Sequence, residues 1–309
     1  MEWSVDGQTP EFLAATRMVT LRDSVIRSIM PLLHLEPGAR VLDVGCGSGE
    51  YVFRLGAHVR GVDFTGVEYD GNFVEFATRR AAGEVPYPFE QPAPGNSYRF
   101  VQADGLDLPF EDGAFDAVVS HTYLTAVAQW PLALSEMCRV CKSGGTVSSV
   151  TSMTNDFYGT GVVGLFAETT GAEDAALLQR VRAAQAVANT GVDLVAGIEP
   201  RLVPAAFAHV GLEQVACVPL GHYFCLSDAR TTPQDYRRYI DLLRAAEEAE
   251  YARLQANPDT AHMLTEGEWC SYRELIDARY QQLLDEQGDN WEWNWFGTSS
   301  LFVCGIRKQ

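Results

Sequence analysis

The chain has 309 residues, of which 47% are apolar, and this suits one or two globular domains with a large core. Its 41 acidic and 23 basic residues give a formal net charge of −18, which argues against nucleic acid and anionic lipid as partners. No apolar run reaches the ~18 residues that span a bilayer. The amino terminus also lacks the basic and apolar regions of a signal peptide. We therefore expect a cytoplasmic protein without a membrane partner.

The cysteines do not indicate a disulfide framework or a metal site. There are seven, scattered along the chain, which fits reduced thiols. Cys138 and Cys141 have C-x-x-C spacing, but no second pair of ligands lies at an interval suitable for zinc. We therefore expect these two thiols to pack in the core, and we expect no metal. The basic pair Arg79-Arg80 lies in a predicted helix, where an exposed face is expected.

The amino-terminal segment is predicted to be helical. A helix begins at Pro10, and apolar residues recur at helical spacing as far as Leu33. This pattern indicates one or two helices. We assign residues 1–35 as an amino-terminal helical cap that precedes a main domain of residues 36–226 and 297–309.

The stretch from Val41 to Glu50 reads VLDVGCGSGE and indicates a buried strand, a tight turn and the start of a helix. Glycine has no side chain to block a ligand and tolerates unusual dihedral angles, so such a turn lets a ligand contact the backbone. A dinucleotide-binding turn would have its third glycine at position 50, which here is Glu50. The turn instead has the form D-x-G-x-G-x-G, with Asp43 followed by Gly45, Gly47 and Gly49.

The second strand should end at an acidic residue that binds ribose hydroxyls, about 20 residues beyond the glycine turn. Asp63 and Glu68 both lie within range. The residues after Glu68 read as a turn and then an amphipathic helix, whereas choosing Asp63 would place Gly66 and a turn inside that helix. This pattern favours Glu68. An acid is expected at this position because a carboxylate accepts hydrogen bonds from both vicinal hydroxyls.

Two more strands are expected to end at the same edge of the sheet. A loop rich in proline and glycine, residues 83–97, is followed by a strand that ends at Asp104-Gly105. On its own, Asp104 could be either a ligand-binding acid or the acid of an Asx turn, and the two interpretations are equally good. The fourth strand ends at Ser120-His121-Thr122-Tyr123, and open α/β sheets bind ligands at this carboxyl edge.

The second half of the chain is less regular and mainly helical. Three long helices are predicted, at Ala172–Ala188, Pro233–Gln255 and Glu268–Glu286, and two strands at Leu212–Phe224 and Ser299–Ile306. Between them, Trp291, Trp293 and Trp295 alternate with polar residues. Three tryptophans on one side of an extended segment could line an aromatic or cationic acceptor pocket. They could equally form a row that packs in the core or in a lid.

Four motifs between Val41 and Ser152 occur in the order found in one family. These are the glycine turn, Glu68 with its following helix, Ala-Asp-Gly at Asp104, and the Leu108–Ser120 stretch LPFEDGAFDAVVS. Together they resemble the class I (Rossmann-like) S-adenosylmethionine-dependent methyltransferases of the small-molecule, type 11-like kind. The resemblance implies an α/β fold with a doubly wound, seven-stranded, mostly parallel sheet whose last strand is antiparallel. The amino-terminal helical cap and a carboxyl-terminal helical insertion would add to this fold.

The same resemblance implies roles for individual residues. Asp43 and the backbone of Gly45, Cys46 and Gly47 would hold the methionine part of S-adenosylmethionine, and Arg22 of the cap could meet its carboxylate. Glu68 would bind the ribose, Tyr69 would stack on the adenine, and Asp104 would accept its amino group. The full set of predicted cofactor contacts is Asp43, Gly45, Cys46, Gly47, Gly49, Glu68, Tyr69, Asp104, Gly105 and Ser120.

We expect methyl transfer to a small-molecule acceptor, with S-adenosylhomocysteine as the product. His121 and Tyr123 are the catalytic candidates, and Trp291, Trp293 and Trp295 are the candidate substrate contacts. Residues 227–296 would form a helical insertion that acts as a lid and contributes to the acceptor site. Another transfer reaction from the same cofactor, or a non-catalytic regulatory protein that binds it, are the alternatives. The sequence leaves a homodimer open.

Overall fold

The structure, a computed structural model, describes residues 9–85, 93–152, 172–188, 197–225, 232–285 and 295–308. Its strands are β1 (Arg40–Val44), β2 (Asp63–Glu68), β3 (Ser97–Gln102), β4 (Phe115–His121), β5 (Cys141–Ser152), β6 (Leu212–Cys225) and β7 (Trp295–Arg307). Its α-helices are α1 (Pro10–Thr20), α2 (Asp23–Leu33), α3 (Glu50–Gly56), α4 (Gly71–Ala81), α5 (Tyr123–Ala126), α6 (Trp130–Val140), α7 (Ala172–Ala188), α8 (Val203–His209), α9 (Pro233–Ala256) and α10 (Glu266–Asp285).

The seven strands form one sheet in the order β3-β2-β1-β4-β5-β7-β6. Strands β1 to β5 pair in parallel with one another, whereas β7 pairs antiparallel with β5, from Thr146 opposite Ile306 to Ser152 opposite Ser300. Strand β7 therefore lies between β5 and β6. These features confirm the predicted doubly wound α/β fold with an antiparallel last strand.

Apolar residues on both faces of the sheet bury its central strands. Leu42 and Val118 belong to one hydrophobic cluster, whereas Val41 and Val119 belong to a second cluster that also contains residues of α2 and α3. Side chains alternate between the two faces along a strand, so Asp43 lies on the same face as Val41. Asp43 is therefore an acidic residue within an otherwise apolar layer, close to the carboxyl end of β1.

The chain divides into two compact units. The sheet unit contains residues 17–154, 193–222 and 298–309, and the helical unit contains residues 1–16, 155–192 and 223–297. The boundaries assigned from the sequence, at residues 35 and 226, stay predictions. No helix in the described ranges is both long enough and apolar enough to cross a membrane.

The helical unit has a core of its own. Trp269, Tyr272 and Tyr280 of α10 are buried, and the Trp269 indole donates a hydrogen bond to the Ala261 carbonyl at 3.1 Å. The Tyr272 hydroxyl donates to Oε1 of Glu247, a buried acid of α9, at 2.7 Å. A buried carboxyl is thus part of the contact between the two long helices.

The expectation that Arg79-Arg80 forms an exposed basic face was wrong for Arg80. Its side chain is buried, forms an ion pair with the buried carboxylate of Glu50, and lies 4.6 Å from the centroid of the Phe76 ring. The Ser48 hydroxyl donates to the same carboxylate. Glu50, which stands where a dinucleotide-binding turn has glycine, therefore connects the start of α3 to α4. The expected packing of Cys141 is confirmed, because its thiol is fully buried.

Candidate functional site

The glycine turn is fixed to the end of the neighbouring strand. The amides of Gly45 and Cys46 both donate to the Val67 carbonyl of β2, at 2.9 and 3.0 Å. Gly45 and Gly49 have φ angles of 70° and 82°, in the left-handed region that favours glycine. The chain can therefore turn sharply from β1 into α3 and leave the turn at the carboxyl edge of the sheet.

Glu68 faces this turn from the end of β2. Its Oε2 accepts a hydrogen bond from the Gly47 amide at 2.9 Å, and its Oε1 accepts from Tyr69 and Asp70 at 2.8 and 3.2 Å. Burial raises the pKa of Glu68, and these backbone hydrogen bonds oppose that effect. Asp63 begins the same strand, so it lies at the opposite edge, where it accepts from the Ser97 hydroxyl at 2.6 Å. Of the two predicted acids, only Glu68 reaches the glycine turn.

Asp43 lies one residue before the end of β1 and is 0% exposed. Neither of its carboxylate oxygens has a hydrogen-bond partner among the described residues. Burial raises the pKa of Asp43 well above its usual range, Glu68 raises it further, and Arg17 acts in the opposite direction. A buried acid with two unused acceptors is thus available directly beside the turn.

The end of β3 supplies a second acid, on a more open surface. Asp104 is exposed, and its Oδ1 accepts from the Leu106 amide at 2.9 Å, so the Asx turn considered from the sequence is present. Tyr69, which follows Glu68, is 55% exposed. Both side chains are accessible at the edge of the sheet where Glu68 and the glycine turn lie.

The end of β4 carries the two catalytic candidates. His121 is 7% exposed, and its ring centroid lies 5.7 Å from that of Tyr51 in α3. Tyr123 starts α5 and lies against the glycine turn, because a Cβ atom built on Gly45 would be only 2.5 Å from its Cδ2. A Cβ atom on Gly105 would likewise meet the Tyr123 hydroxyl. Tyr123 therefore spans the ends of β1 and β3.

The chemistry available at this edge is acidic and hydrogen-bonding. Burial raises the pKa of the Tyr123 phenol well above its usual value, and Asp104 and Glu68 act in the same direction. Ser120 is directed differently, since its hydroxyl donates to Ser149 at 3.0 Å inside the sheet. No group of three or more His, Cys, Asp or Glu residues in the described part of the chain is arranged to hold a metal ion.

Comparison with known proteins identifies the domain that carries this edge. Residues 42–149 match the family model described as a methyltransferase domain. These residues are therefore a methyltransferase domain. The matched segment begins at Leu42 in β1 and ends within β5. It therefore contains the glycine turn and the carboxyl ends of the first four strands.

Named relatives of the methyltransferase domain act on small molecules. A 2-phytyl-1,4-naphtoquinone methyltransferase from Nostoc sp. strain PCC 7120 is 36% identical over 108 residues, which are 35% of this chain and 44% of that protein. A demethylmenaquinone methyltransferase from Staphylococcus aureus strain MRSA252 is 31% identical over 122 residues, 39% of this chain and 46% of that protein. The match thus spans less than half the length of each relative.

A solved structure supports the fold. The YcgJ protein from Bacillus subtilis is 16% identical, covers 93% of this chain and 100% of its own, and gives a TM-score of 0.50. At this level of identity the likeness concerns the arrangement of strands and helices.

Three residues around the end of β4 were missed from the sequence. The Arg17 guanidinium donates to the Thr122 hydroxyl at 3.1 Å, and its charge acts on Asp43. Thr122 has a φ angle of 59°, which is unusual for a β-branched residue. Tyr51 packs against His121. Arg22, and not Arg17, was the cap residue predicted to meet the cofactor. Arg17 and Thr122 are 105 positions apart, so no local pattern in the sequence indicates that they meet.

The predicted substrate contacts cannot be compared with this site. Trp291 and Trp293 lie outside the described residues. Trp295 is the first residue of β7, and its side chain is not among those described. Their role in acceptor binding stays a prediction.

Proposed function

We propose that this protein transfers a methyl group from S-adenosylmethionine to a small-molecule acceptor by in-line displacement. The observation that carries the proposal is the meeting of the buried acid Asp43, the glycine turn and Glu68 at one edge of the sheet. The match of residues 42–149 to the methyltransferase family model and the partial similarity to named small-molecule methyltransferases support the same reaction. The names of those relatives make quinol-like aromatic rings the first acceptor class to test.

The residues present suit the cofactor. The two unpartnered oxygens of Asp43 can accept hydrogen bonds from an ammonium group, and Arg17 lies near enough to act on the same acid. We assign the methionine part to Asp43 and to the backbone of Gly45, Cys46, Gly47 and Gly49. We assign the ribose to Glu68, since a carboxylate accepts from two hydroxyls at once.

The adenine is assigned to the accessible residues at the ends of β2 and β3. The exposed ring of Tyr69 offers a stacking surface, and the second carboxylate oxygen of Asp104 can accept from an amino group. Gly105 leaves room beside Asp104, where a larger residue would meet Tyr123. Ser120 stays a weaker assignment, because its hydroxyl is engaged with Ser149.

The bound cofactor would supply a methyl group already activated by the positive charge on sulfur. The protein must then align the acceptor, exclude water and, where the acceptor carries a proton, remove it. His121 is the proposed base, because imidazole titrates near neutral pH and its ring lies at the end of β4. The raised pKa of Tyr123 keeps its phenol protonated, so we assign it as a hydrogen-bond donor. A cytoplasmic location and a homodimer stay predictions from the sequence.

Calorimetry with S-adenosylmethionine and S-adenosylhomocysteine tests the cofactor assignment. Glu68→Gln keeps an acceptor for the Gly47 amide and loses the charge, so we expect at least a tenfold weaker affinity, about 1.4 kcal/mol. Asp63→Asn is the matched control, because this acid lies at the other end of the same strand. The assignment fails if the wild-type protein binds neither compound, or if the two variants bind equally well.

The acceptor requires a separate experiment. Transfer of a radiolabelled methyl group to a panel of quinols, phenols, amines and thiols would identify the class, with the His121→Asn variant in parallel. A product formed by wild-type protein and lost in His121→Asn supports the proposed base. Cofactor binding without any product across the panel would favour the non-catalytic alternative.

A further inference from the structure

A row of side chains crosses one face of the sheet below the glycine turn. Asp43 of β1 is paired in register with Val119 of β4, Val119 with Ser148 of β5, and Ser148 with Cys304 of β7. All four are buried. The row is polar at Asp43 and at Ser148, and neither side chain has a hydrogen-bond partner among the described residues.

Several ionisable groups surround Asp43, each from a different element. Glu68 faces it from β2 and Arg17 from α1, Cys46 lies in the turn, and Tyr51 is on α3. His121 lies on the same face of the sheet, two residues beyond the partner of Asp43 in β4. Only Arg17 among these groups carries a permanent positive charge, and its Nη2 is bonded to the Thr122 hydroxyl.

This environment disfavours an ionised Asp43 as long as no ligand is bound. A buried carboxylate needs a counter-charge or hydrogen bonds to offset its lost hydration, and neither oxygen has a hydrogen bond from a described residue. The nearby negative charge of Glu68 acts in the same direction. In the unloaded protein the carboxyl group therefore retains its proton at pH values where an exposed aspartate is ionised.

We propose that Asp43 binds the cationic group of a ligand, and that ligand binding expels a proton from Asp43. The proposal rests on the proposed function, under which the cationic group is the α-ammonium of the cofactor. The O–H bond of the carboxyl group breaks and its proton passes to the buffer. The resulting carboxylate then accepts hydrogen bonds from the ammonium group, whose own protons stay in place.

This coupling makes affinity depend on pH in a defined direction. Because the loaded state binds one proton fewer at Asp43, affinity rises with pH until the unloaded carboxyl group ionises by itself. The rise is about tenfold per pH unit when one whole proton is released. Above that range affinity levels off, and at still higher pH it falls as the α-amino group of the ligand loses its charge.

Titration calorimetry of the full chain with S-adenosylhomocysteine measures the released proton directly. The observed enthalpy is plotted against the ionisation enthalpy of the buffer, with phosphate and Bis-Tris as the two buffers at the same pH. We expect a slope that corresponds to the release of up to one proton per ligand bound, largest where the unloaded carboxyl group keeps its proton and smaller as that group ionises at higher pH. The matched ligand is 5′-methylthioadenosine, which has the adenosine part without the amino-acid part, and it should release none.

Variants test whether Asp43 is the group that releases the proton on ligand binding. In Asp43→Asn the slope should fall to zero and affinity should lose its rise with pH. Ser148→Ala is the matched control, because it removes an uncharged buried hydroxyl from the same row and should leave the slope unchanged. His121→Asn should retain the slope, which would show that the proton comes from Asp43 and not from the nearby imidazole.

The outcomes separate this inference from the proposed function. If S-adenosylhomocysteine binds with the same enthalpy in every buffer, the proton coupling is refuted and cofactor binding stands. A slope that persists in Asp43→Asn, or that appears equally with 5′-methylthioadenosine, also refutes it. If the wild-type protein binds neither S-adenosylhomocysteine nor 5′-methylthioadenosine, the proposed function fails first, and this inference fails with it.

Discussion

Glu247 provides a quantitative test of how burial changes an acid in this protein. It lies on α9, is 6% exposed, and accepts a hydrogen bond from the Tyr272 hydroxyl. Burial raises its pKa from 4.5 to about 7, although the hydrogen bond from Tyr272 opposes the change. We predict that Glu247→Gln makes the protein more stable than wild type at high pH, because the amide has no charge to bury.

The expected magnitude follows from this pKa. Each unit of difference between the pKa of Glu247 in the folded and unfolded states changes the free energy of unfolding by about 1.4 kcal/mol. The whole pKa difference therefore corresponds to about 3 kcal/mol. The unfolded chain loses the proton near the usual pKa, whereas the folded protein retains it to about 7. The contribution of Glu247 to the free energy of unfolding is therefore complete at low pH, declines as pH rises between these values, and is absent above them.

Urea unfolding at pH 5 and pH 8, followed by circular dichroism, measures this effect. From pH 5 to pH 8, the free energy of unfolding of Glu247→Gln should rise by about 2 to 3 kcal/mol relative to that of wild type. Glu248→Gln is the matched control, because the neighbouring acid is exposed and pairs with Arg244 on the surface. The reasoning is refuted if wild type and Glu247→Gln lose stability with pH to the same extent.

Three further predictions concern the sheet unit. Arg80→Met should lower the free energy of unfolding by about 3 to 5 kcal/mol, because it leaves a buried carboxylate without its partner; denaturant titration checks this against the exposed-site control Arg79→Met. Thr122→Gly removes backbone strain of about 1 to 3 kcal/mol together with the hydroxyl that binds Arg17, so the melting temperature should hold while the methyl-transfer rate falls. If the melting temperature and the methyl-transfer rate of Thr122→Gly fall together, the role of Thr122 is purely structural. Gly45→Ala should weaken cofactor binding more than tenfold in calorimetry, whereas Gly38→Ala, at a similar φ but with open space around it, should leave affinity unchanged.

Local sequence pattern was sufficient for most of the sheet unit. The spacing of the glycines and the apolar run before them predicted β1, the turn and α3, because a strand, a turn and a helix start are each specified by adjacent residues. The choice of Glu68 over Asp63 rested on the helix that follows, and the structure places Glu68 at the turn and Asp63 at the far edge. Helix α7 was predicted with both its ends.

The polar contacts of the site could not be predicted in this way. Arg80 reads as an exposed residue of an amphipathic helix, but Glu50, 30 residues earlier in the chain, makes it a buried partner. Thr122 has no unusual sequence context, and its left-handed backbone became apparent only from the turn at the end of β4. These features depend on residues that are distant in sequence, and a single sequence contains no local pattern for such a pairing.

The sequence by itself determined the order of the strands and helices along the chain, the position of the glycine turn, and the family of the segment that contains this turn. It did so because hydrogen bonding within helices and turns, and the burial of alternating side chains, depend on near neighbours. The tertiary structure decided which polar groups share a buried environment. The sequence identifies Asp43 as the acid that precedes the glycine turn, but not its surroundings. The packing of β2, β4, α1 and α3 leaves it without a hydrogen bond from a described residue and beside a second carboxylate. Burial and neighbouring charge set the protonation of such a group, and both come from the fold.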